Sequence, residues 1–488
     1  MTLSPSRHSP WLIGTGVFAM LWTVARASVQ SVTIDEADTY LTFVAPAEPR
    51  QWIASANNHV LNTLLMRLLT QIFGASAFTL RMPALIGAAL YITAAYFLVR
   101  LISPRRWLQW ALFACLTLSP LVMDYLVAAR GYSLAMAFLL WMVVIAARQG
   151  GLWRTCALIS VCAALSVSAN FSFAIADAFT ALGLMIWICR EHRGQYLKIL
   201  AALVAPGLVV MYGIAGPAIL NWSKGQLTWG ADSLRQMFAS LLRASLFDPN
   251  QDLLHPQLRH YFVHFGTFLY PLLAACMIWR VIMLLLERPA DWKEGRVAGP
   301  LAVICGSACL VAVVCHELGH LLYGIPLPLD RTALWVALLF LTMAGALAAP
   351  GLTSPAGRTS GKALTAILVL IGIYNLACLR LTYFNEWKYD ADMKNVYGVL
   401  NSTRAKNVSA NWRYVAALNC YRQMSGGNSF EKIASAPSTV NDYAAGYQAY
   451  IIFYPVDRDF VNRQGLKVVY HDEFSGVAVA IRPEAAGQ

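Results

Sequence analysis

Charge is what this sequence has least of. Only 13% of its 488 residues are Asp, Glu, Lys or Arg, about half the share of an ordinary soluble domain. A soluble body of this size is therefore excluded as the main architecture. Alternation of apolar and polar residues is also missing, because the apolar runs are continuous; that excludes a transmembrane β-barrel. A disulfide framework is absent as well. There are ten cysteines, but all except Cys420 lie in or at the edge of apolar runs, and none forms a C-x-x-C pair, so they read as small buried hydrophobes. No internal repeat and no paired broken spans of the kind used by many transporters can be found.

What the chain has in abundance is apolar sequence. Hydrophobic residues make up 58% of it and the mean hydropathy is +0.53. Runs of about twenty residues recur, each long enough to cross a bilayer core of ~30 Å. The fold class that follows is mainly α: a polytopic membrane protein of about eleven transmembrane helices. The spans are expected near residues 10–29, 81–101, 107–123, 132–147, 153–169, 172–189, 199–219, 262–284, 298–321, 332–349 and 363–381. The first has a signal-peptide look, with Ala25-Arg26-Ala27 resembling a cleavage site. It fills a full span and reads as a retained helix.

The net charge of +12 is not a nucleic-acid signature. The basic residues cluster in short alternate loops, at Arg105 and Arg106, at Arg190 and Arg193, and at Arg358 and Lys362. The positive-inside rule puts those loops and the N-terminus in the cytoplasm. The other loops, and the tail, then lie on the outer face of the cytoplasmic (inner) membrane. Two outer stretches, Val60 to Phe73 and Leu234 to Phe247, have helical apolar periodicity without spanning length and read as helices along the membrane surface. Composition turns globular after about Tyr383. The domain boundaries expected are 1–383 for the membrane part and 384–488 for a small outer α/β domain. In the latter, Asp390 to Ser402 is helix-like, Val440 to Tyr447 is mixed, and Tyr450 to Pro455 and Leu466 to Ile481 are strand-like.

Polar groups near spans need a reason, since charge at membrane depth is costly. The stretch T-I-D-E-A-D just past the first span carries Asp35, Glu36 and Asp38. Asn57-Asn58-His59 follows in the same loop. Arg81, Asp124, Arg130-Gly131-Tyr132 and Asp330-Arg331 fall at outer ends of expected spans.

These residues carry a resemblance. T-I-D-E-A, then N-N-H-V-L-N-T-L-L, then F-T-L-R-M-P-A-L-I-G, A-A-R-G-Y-S-L and P-L-D-R-T-A-L-W, in that order to about residue 345, resemble the GT-C superfamily of membrane glycosyltransferases. The similarity is to the branch with protein mannosyltransferases and the aminoarabinose transferase of lipid A. It implies a GT-C-like fold, and transfer of a sugar from a polyprenyl-phosphate carrier to a lipid, glycan or protein acceptor outside the membrane. It implies Asp35 as general base, with Glu36 orienting it or holding a sugar hydroxyl, and Arg81, Arg130 and Arg331, with Tyr132, binding the donor phosphate. Asn58 and His59 would contact sugar or acceptor. The H-P-P often seen in the family's first outer loop is missing, since Val60 and Leu61 follow His59. Some relatives bind a divalent cation near the first-loop acid; no ligand set for one stands out here. Besides this donor, the acceptor and membrane lipids, no partner is implied, and nucleic acid is not one.

One motif competes. His316-Glu317-Leu318-Gly319-His320 is a full H-E-x-x-H, which on a helix places both histidines on one face, as zinc requires. An intramembrane metalloprotease would need a third ligand, and no later span offers an obvious one. His316 and His320 also fit a sugar-binding role near Arg331.

Overall fold

A computed structural model describes residues 9–55, 57–148, 150–227, 229–246, 255–287, 292–434, 443 and 446–483. Most of the stretch Val440 to Tyr447 lies outside the described residues. In chain order the helices are α1 (Pro10–Val29), α2 (Ile34–Thr39), α3 (Val60–Phe73), α4 (Ala77–Ile102), α5 (Arg106–Thr117), α6 (Pro120–Val127), α7 (Tyr132–Arg148), α8 (Leu152–Ala169), α9 (Ala174–Glu191) and α10 (Tyr196–Leu220). They continue as α11 (Leu234–Ser245), α12 (Pro256–Leu286), α13 (Trp292–Tyr323), α14 (Leu334–Ala348), α15 (Pro355–Ala377), α16 (Met393–Ser402), α17 (Trp412–Met424) and α18 (Tyr454–Gln464). Four strands join them: β1 (Val408–Ala410), β2 (Ala449–Phe453), β3 (Lys467–His471) and β4 (Val477–Ile481).

All eleven expected spans are helical. Among the described residues nine helices are long and apolar enough to cross a membrane. The other two differ from expectation. The third is broken into α5 and α6, bent by 54°. The cause is Pro120: Ser119 before it is held at φ −54°, ψ 127°, because proline excludes the helical region for its predecessor. The fourth, α7, is apolar but has only 17 residues. The two surface stretches form α3 and α11 as short amphipathic helices.

The chain divides into two compact units. The first comprises Met1–Val24, Ala54–Asn62 and Pro83–Arg380. Within it α8 packs against α7 and α10, α13 against α14 and α9, and α15 against α5 and α12. Small residues allow the close crossings. Gly207 of α10 lies so near α8 that its N–H donates to Ser160 Oγ at 2.8 Å, and a Cβ there would sit 2.6 Å from the Ser160 carbonyl oxygen.

The second unit comprises Ala25–Ile53, Thr63–Met82 and Leu381–Gln488. Its sheet has the order β1-β2-β4-β3, with β1 and β2 parallel and the other pairs antiparallel. The central strand β4 is buried along its whole length, while β3 alternates as an edge strand. Tyr450, Ile452, Ala478 and Ala480 meet Phe460 and Val461 of α18 in one core. The strand-like stretches are therefore real, but β1, α17 and α18 carry no clean periodicity and were not expected. Helix α17 packs on α2 within this unit.

Candidate active site

The second unit holds the acidic stretch. Thr33 caps α2: its Oγ1 accepts from the Glu36 N–H at 3.2 Å, and Glu36 Oε2 accepts from the Thr33 N–H at 3.0 Å. This reciprocal cap is written in the sequence as T-x-x-E. The neighbouring amides are tied as well. The Val32 N–H donates to Tyr421 Oη at 2.9 Å and the Ile34 N–H to Asp390 Oδ2 at 2.7 Å. Three successive amides before Asp35 thus each have a side-chain acceptor. Asp35 itself is half-buried, and Glu36 is buried.

Arg81 fixes this arrangement. Its Nε donates to Glu36 Oε1 at 2.9 Å and its Nη2 to Glu36 Oε2 at 2.7 Å. The same Nη2 reaches the Ser31 carbonyl at 2.6 Å, and Nη1 the Gln30 and Ala27 carbonyls at 2.7 and 3.2 Å. A guanidinium has five N–H donors, and all five are engaged. Arg81 is fully buried, with Phe384 against its guanidinium at 5.3 Å. This corrects the expectation that Arg81 holds a donor phosphate: it has no N–H left to offer one, and its role is to fix Glu36 and the chain's exit from α1.

Asp390 and Tyr421 are the residues that sequence reasoning missed. Asp390 is buried, and its Oδ1 has no hydrogen-bond partner among the described residues. Burial pushes its carboxyl well above the usual range, and the nearby charges of Asp35 and Glu36 push it further, against the bond from the Ile34 N–H. No local signal marks it, since it bonds to a residue 356 positions away in the chain.

The first unit gathers a second cluster. Arg130 stands on the turn between α6 and α7. Gly131 follows at φ +72°, a conformation that favours glycine. Arg130 Nη1 donates to the Asn57 carbonyl at 3.3 Å, and Asn62 Nδ2 to the Ala129 carbonyl at 3.1 Å. These two bonds tie residues 57–62 to the turn. Asn58 and His59 are buried there. The His59 ring lies 5.5 Å from that of Tyr132, which is 4.8 Å from Tyr125. Arg331 lies on the 3₁₀ turn Asp330–Ala333 that opens α14, with its guanidinium over Trp229 at 4.5 Å. Burial lowers the His59 pKa well below its ordinary value, and the charges of Arg130 and Arg331 lower it further. The imidazole is therefore neutral, and Arg130 and Arg331 are the cations that act on it. Such a cluster suits the forked recognition of a phosphate.

His316 and His320 stand near the C-terminal end of α13 in the first unit, and the ring partner of His316, Trp335, lies four residues beyond Arg331. The His316 ring stacks on Trp335 at 5.5 Å, and its Nδ1 donates to the Ala312 carbonyl at 2.8 Å. His320 Nδ1 donates to the Ile325 carbonyl at 3.0 Å. Among the described residues neither shares a hydrogen bond or ring contact with His59, Arg130 or Arg331. Among the described residues, too, no three His, Cys, Asp or Glu side chains stand close enough to hold one metal ion. Among them no third ligand therefore joins the two histidines of the H-E-x-x-H.

No family model matches the chain, and no curated protein matches it. The solved structures that the chain matches include two of similar fold. One is a crystal structure of ArnT from Cupriavidus metallidurans bound to undecaprenyl phosphate: 14% identity over 99% of this chain and 100% of that one, with a TM-score of 0.43. The other is ArnT from the same organism in the apo state, at 11% identity over 98% of each chain and a TM-score of 0.45.

Proposed function

We propose that this chain is an inverting membrane glycosyltransferase of the GT-C superfamily. It moves a sugar from a polyprenyl-phosphate carrier to an acceptor hydroxyl on the outer side of the cytoplasmic membrane. Asp35 takes the proton of the acceptor hydroxyl. The oxygen forms a bond to the anomeric carbon, and the bond from that carbon to the phosphate oxygen breaks, the phosphate leaving with the electron pair. A single displacement inverts the configuration. Arg130 and Arg331 supply positive charge for the leaving phosphate, whose negative charge grows in the transition state. Neutral His59, with Asn58, contacts sugar or acceptor. Glu36 is a positioning residue, since both its oxygens are engaged.

The observation that supports this reading best is the fixing of the chain around Asp35. A general base must hold its place relative to the proton it takes. Residues Val32, Thr33, Ile34 and Glu36 are each held by named side chains, which leaves Asp35 on a rigid support. The test is transfer from a polyprenyl-phosphate-linked sugar donor by Asp35→Asn. Its kcat should fall by about 10²- to 10⁴-fold with an unchanged melting temperature. Activity equal to the parent would overturn the assignment.

A further inference from the structure

Near the ends of the α5, α12, α14 and α15 helices the first unit forms an open cavity of about 870 Å³. Five of its lining residues are basic: Arg105, Arg106, Arg280, Arg358 and Lys362. None of its lining residues is acidic. The cavity is pre-shaped. Buried Arg280 donates from Nε to the Leu347 carbonyl at 3.0 Å and from Nη1 to the Gly357 carbonyl at 2.7 Å, and its Nη2 reaches the Pro350 carbonyl. Glu287 holds the Ser354 N–H and hydroxyl. The turn from α14 to α15 is therefore pinned from below.

Three of the remaining four cations are available. The side chains of Arg106, Arg358 and Lys362 are exposed, and no hydrogen bond or ion pair engages them among the described residues. Their order along α15 is informative. Arg358 and Lys362 are followed on the same face by Thr365, Ala366, Val369 and Leu370, all lining the cavity. Positions four, seven, eight and eleven residues on share one helical face. The rise from Arg358 to Val369 is about 16 Å, roughly one leaflet of a ~30 Å core. Trp107, 74% exposed, stands at the charged end, where tryptophan marks a membrane interface. A cationic head and the mostly apolar wall that continues it, Thr365 to Leu370 with a rise of about 7.5 Å, together describe one kind of ligand.

We infer that this cavity binds an anionic glycerophospholipid, its phosphate against Arg106, Arg358 and Lys362 and one acyl chain along Thr365 to Leu370. Basic pockets between membrane helices recognise such headgroups. The site is distinct from the residues proposed above for sugar transfer and does not depend on that reading.

The experiment is native mass spectrometry of the full chain in detergent, with dioleoyl-phosphatidylglycerol, dioleoyl-phosphatidylcholine, short-chain dihexanoyl-phosphatidylglycerol and inorganic phosphate as probes. Dioleoyl-phosphatidylglycerol should be retained in preference to the other three. Each exposed cation contributes about fivefold, so the double variant Arg358→Gln/Lys362→Gln should lose roughly 25-fold in that preference, its melting temperature being unchanged. Equal retention of the two long-chain lipids would overturn the inference, as would an unaltered preference in the double variant. Displacement of the lipid by millimolar inorganic phosphate, with no advantage of long chains over short, would replace the lipid by free phosphate and also overturn it. Circular dichroism identifies a variant that fails to fold; in that event the single variant Arg106→Gln, about fivefold weaker by the same arithmetic, decides.

Discussion

Arg81 meets Glu36 side-on, with Nε 2.9 Å from Oε1 and Nη2 2.7 Å from Oε2. Both side chains are out of contact with solvent. A charge pair removed from water is a weak source of net stability, yet breaking it is expensive, because one charge is left without its partner. Glu36→Gln should therefore destabilise the protein by about 3–5 kcal/mol, and Arg81→Lys should do comparable harm, since an ammonium cannot reproduce the fork. The double variant Glu36→Leu/Arg81→Met leaves no unpaired charge but strands the Ala27, Gln30 and Ser31 carbonyls and the Thr33 N–H, so it should recover only part of the loss. Thermal unfolding in detergent measures all three. A double variant less stable than both single ones would show that the pair contributes far more than it costs to desolvate.

Asp390 gives a pH signature of its own. Its native carboxyl holds a proton to higher pH than the unfolded one, whose pKa is about 3.9, because it is buried and stands near Asp35 and Glu36. Between those two values the native state binds more protons than the unfolded state, so stability falls as pH rises. The contribution is complete below about pH 3.9 and is lost as pH passes the native value. Asp390→Asn keeps an oxygen to accept the Ile34 N–H and cannot ionise. The variant's melting temperature should gain on the parent's as pH is raised from acid to neutral. A difference independent of pH would rule out the buried carboxyl as its source.

Much of this was legible in the sequence, and the boundary has physical causes. Spans follow from apolar length, which is a local property, and all eleven stretches are helical. The break at Ser119-Pro120 was equally local: proline's effect on the preceding residue is enough to find it. The T-x-x-E cap was visible too, though the stretch read first as loop. Arg81 shows where reading stops. An arginine at a span's end is a phosphate clamp or an internal tie according to what surrounds it, and its five acceptors come from residues 27 to 36. Asp390 and Tyr421 reach this stretch only through tertiary contact. The same holds for the grouping of residues 25–53 with the C-terminal hundred in one unit, which no composition shift announces.

His59 has the opposite sign from Asp390. Burial and the charges of Arg130 and Arg331 hold its native pKa below the unfolded value of about 6.5. The unfolded state then binds more protons, and stability rises with pH. The contribution is fully present above about pH 6.5 and is lost as pH falls toward the native value. His59→Gln should remove this acid sensitivity, so that the parent loses melting temperature faster than the variant on going from pH 7 to pH 5. An equal loss in both would mean that the imidazole titrates as freely in the native state as in the unfolded one.

Gly131 sets the position of Arg130. At φ +72° a side chain is strained by about 1–2 kcal/mol on backbone grounds alone. A Cβ would also stand 2.2 Å from the Ala169 carbonyl oxygen and 3.2 Å from His59 Cβ. The first contact is with backbone and cannot be relieved by a rotamer change, so the turn itself must move, and Arg130 and His59 with it. A displacement of about 1 Å in a reacting geometry is enough for a roughly 100-fold loss. Gly131→Ala should therefore lower kcat/KM for the polyprenyl-phosphate donor by about that factor. Gly74→Ala is the control, with φ +78° and open space around the new carbon. It carries the backbone strain without the collision, and it should lose stability and no more. If the two variants transfer sugar equally well, the 128–132 turn does not position the donor.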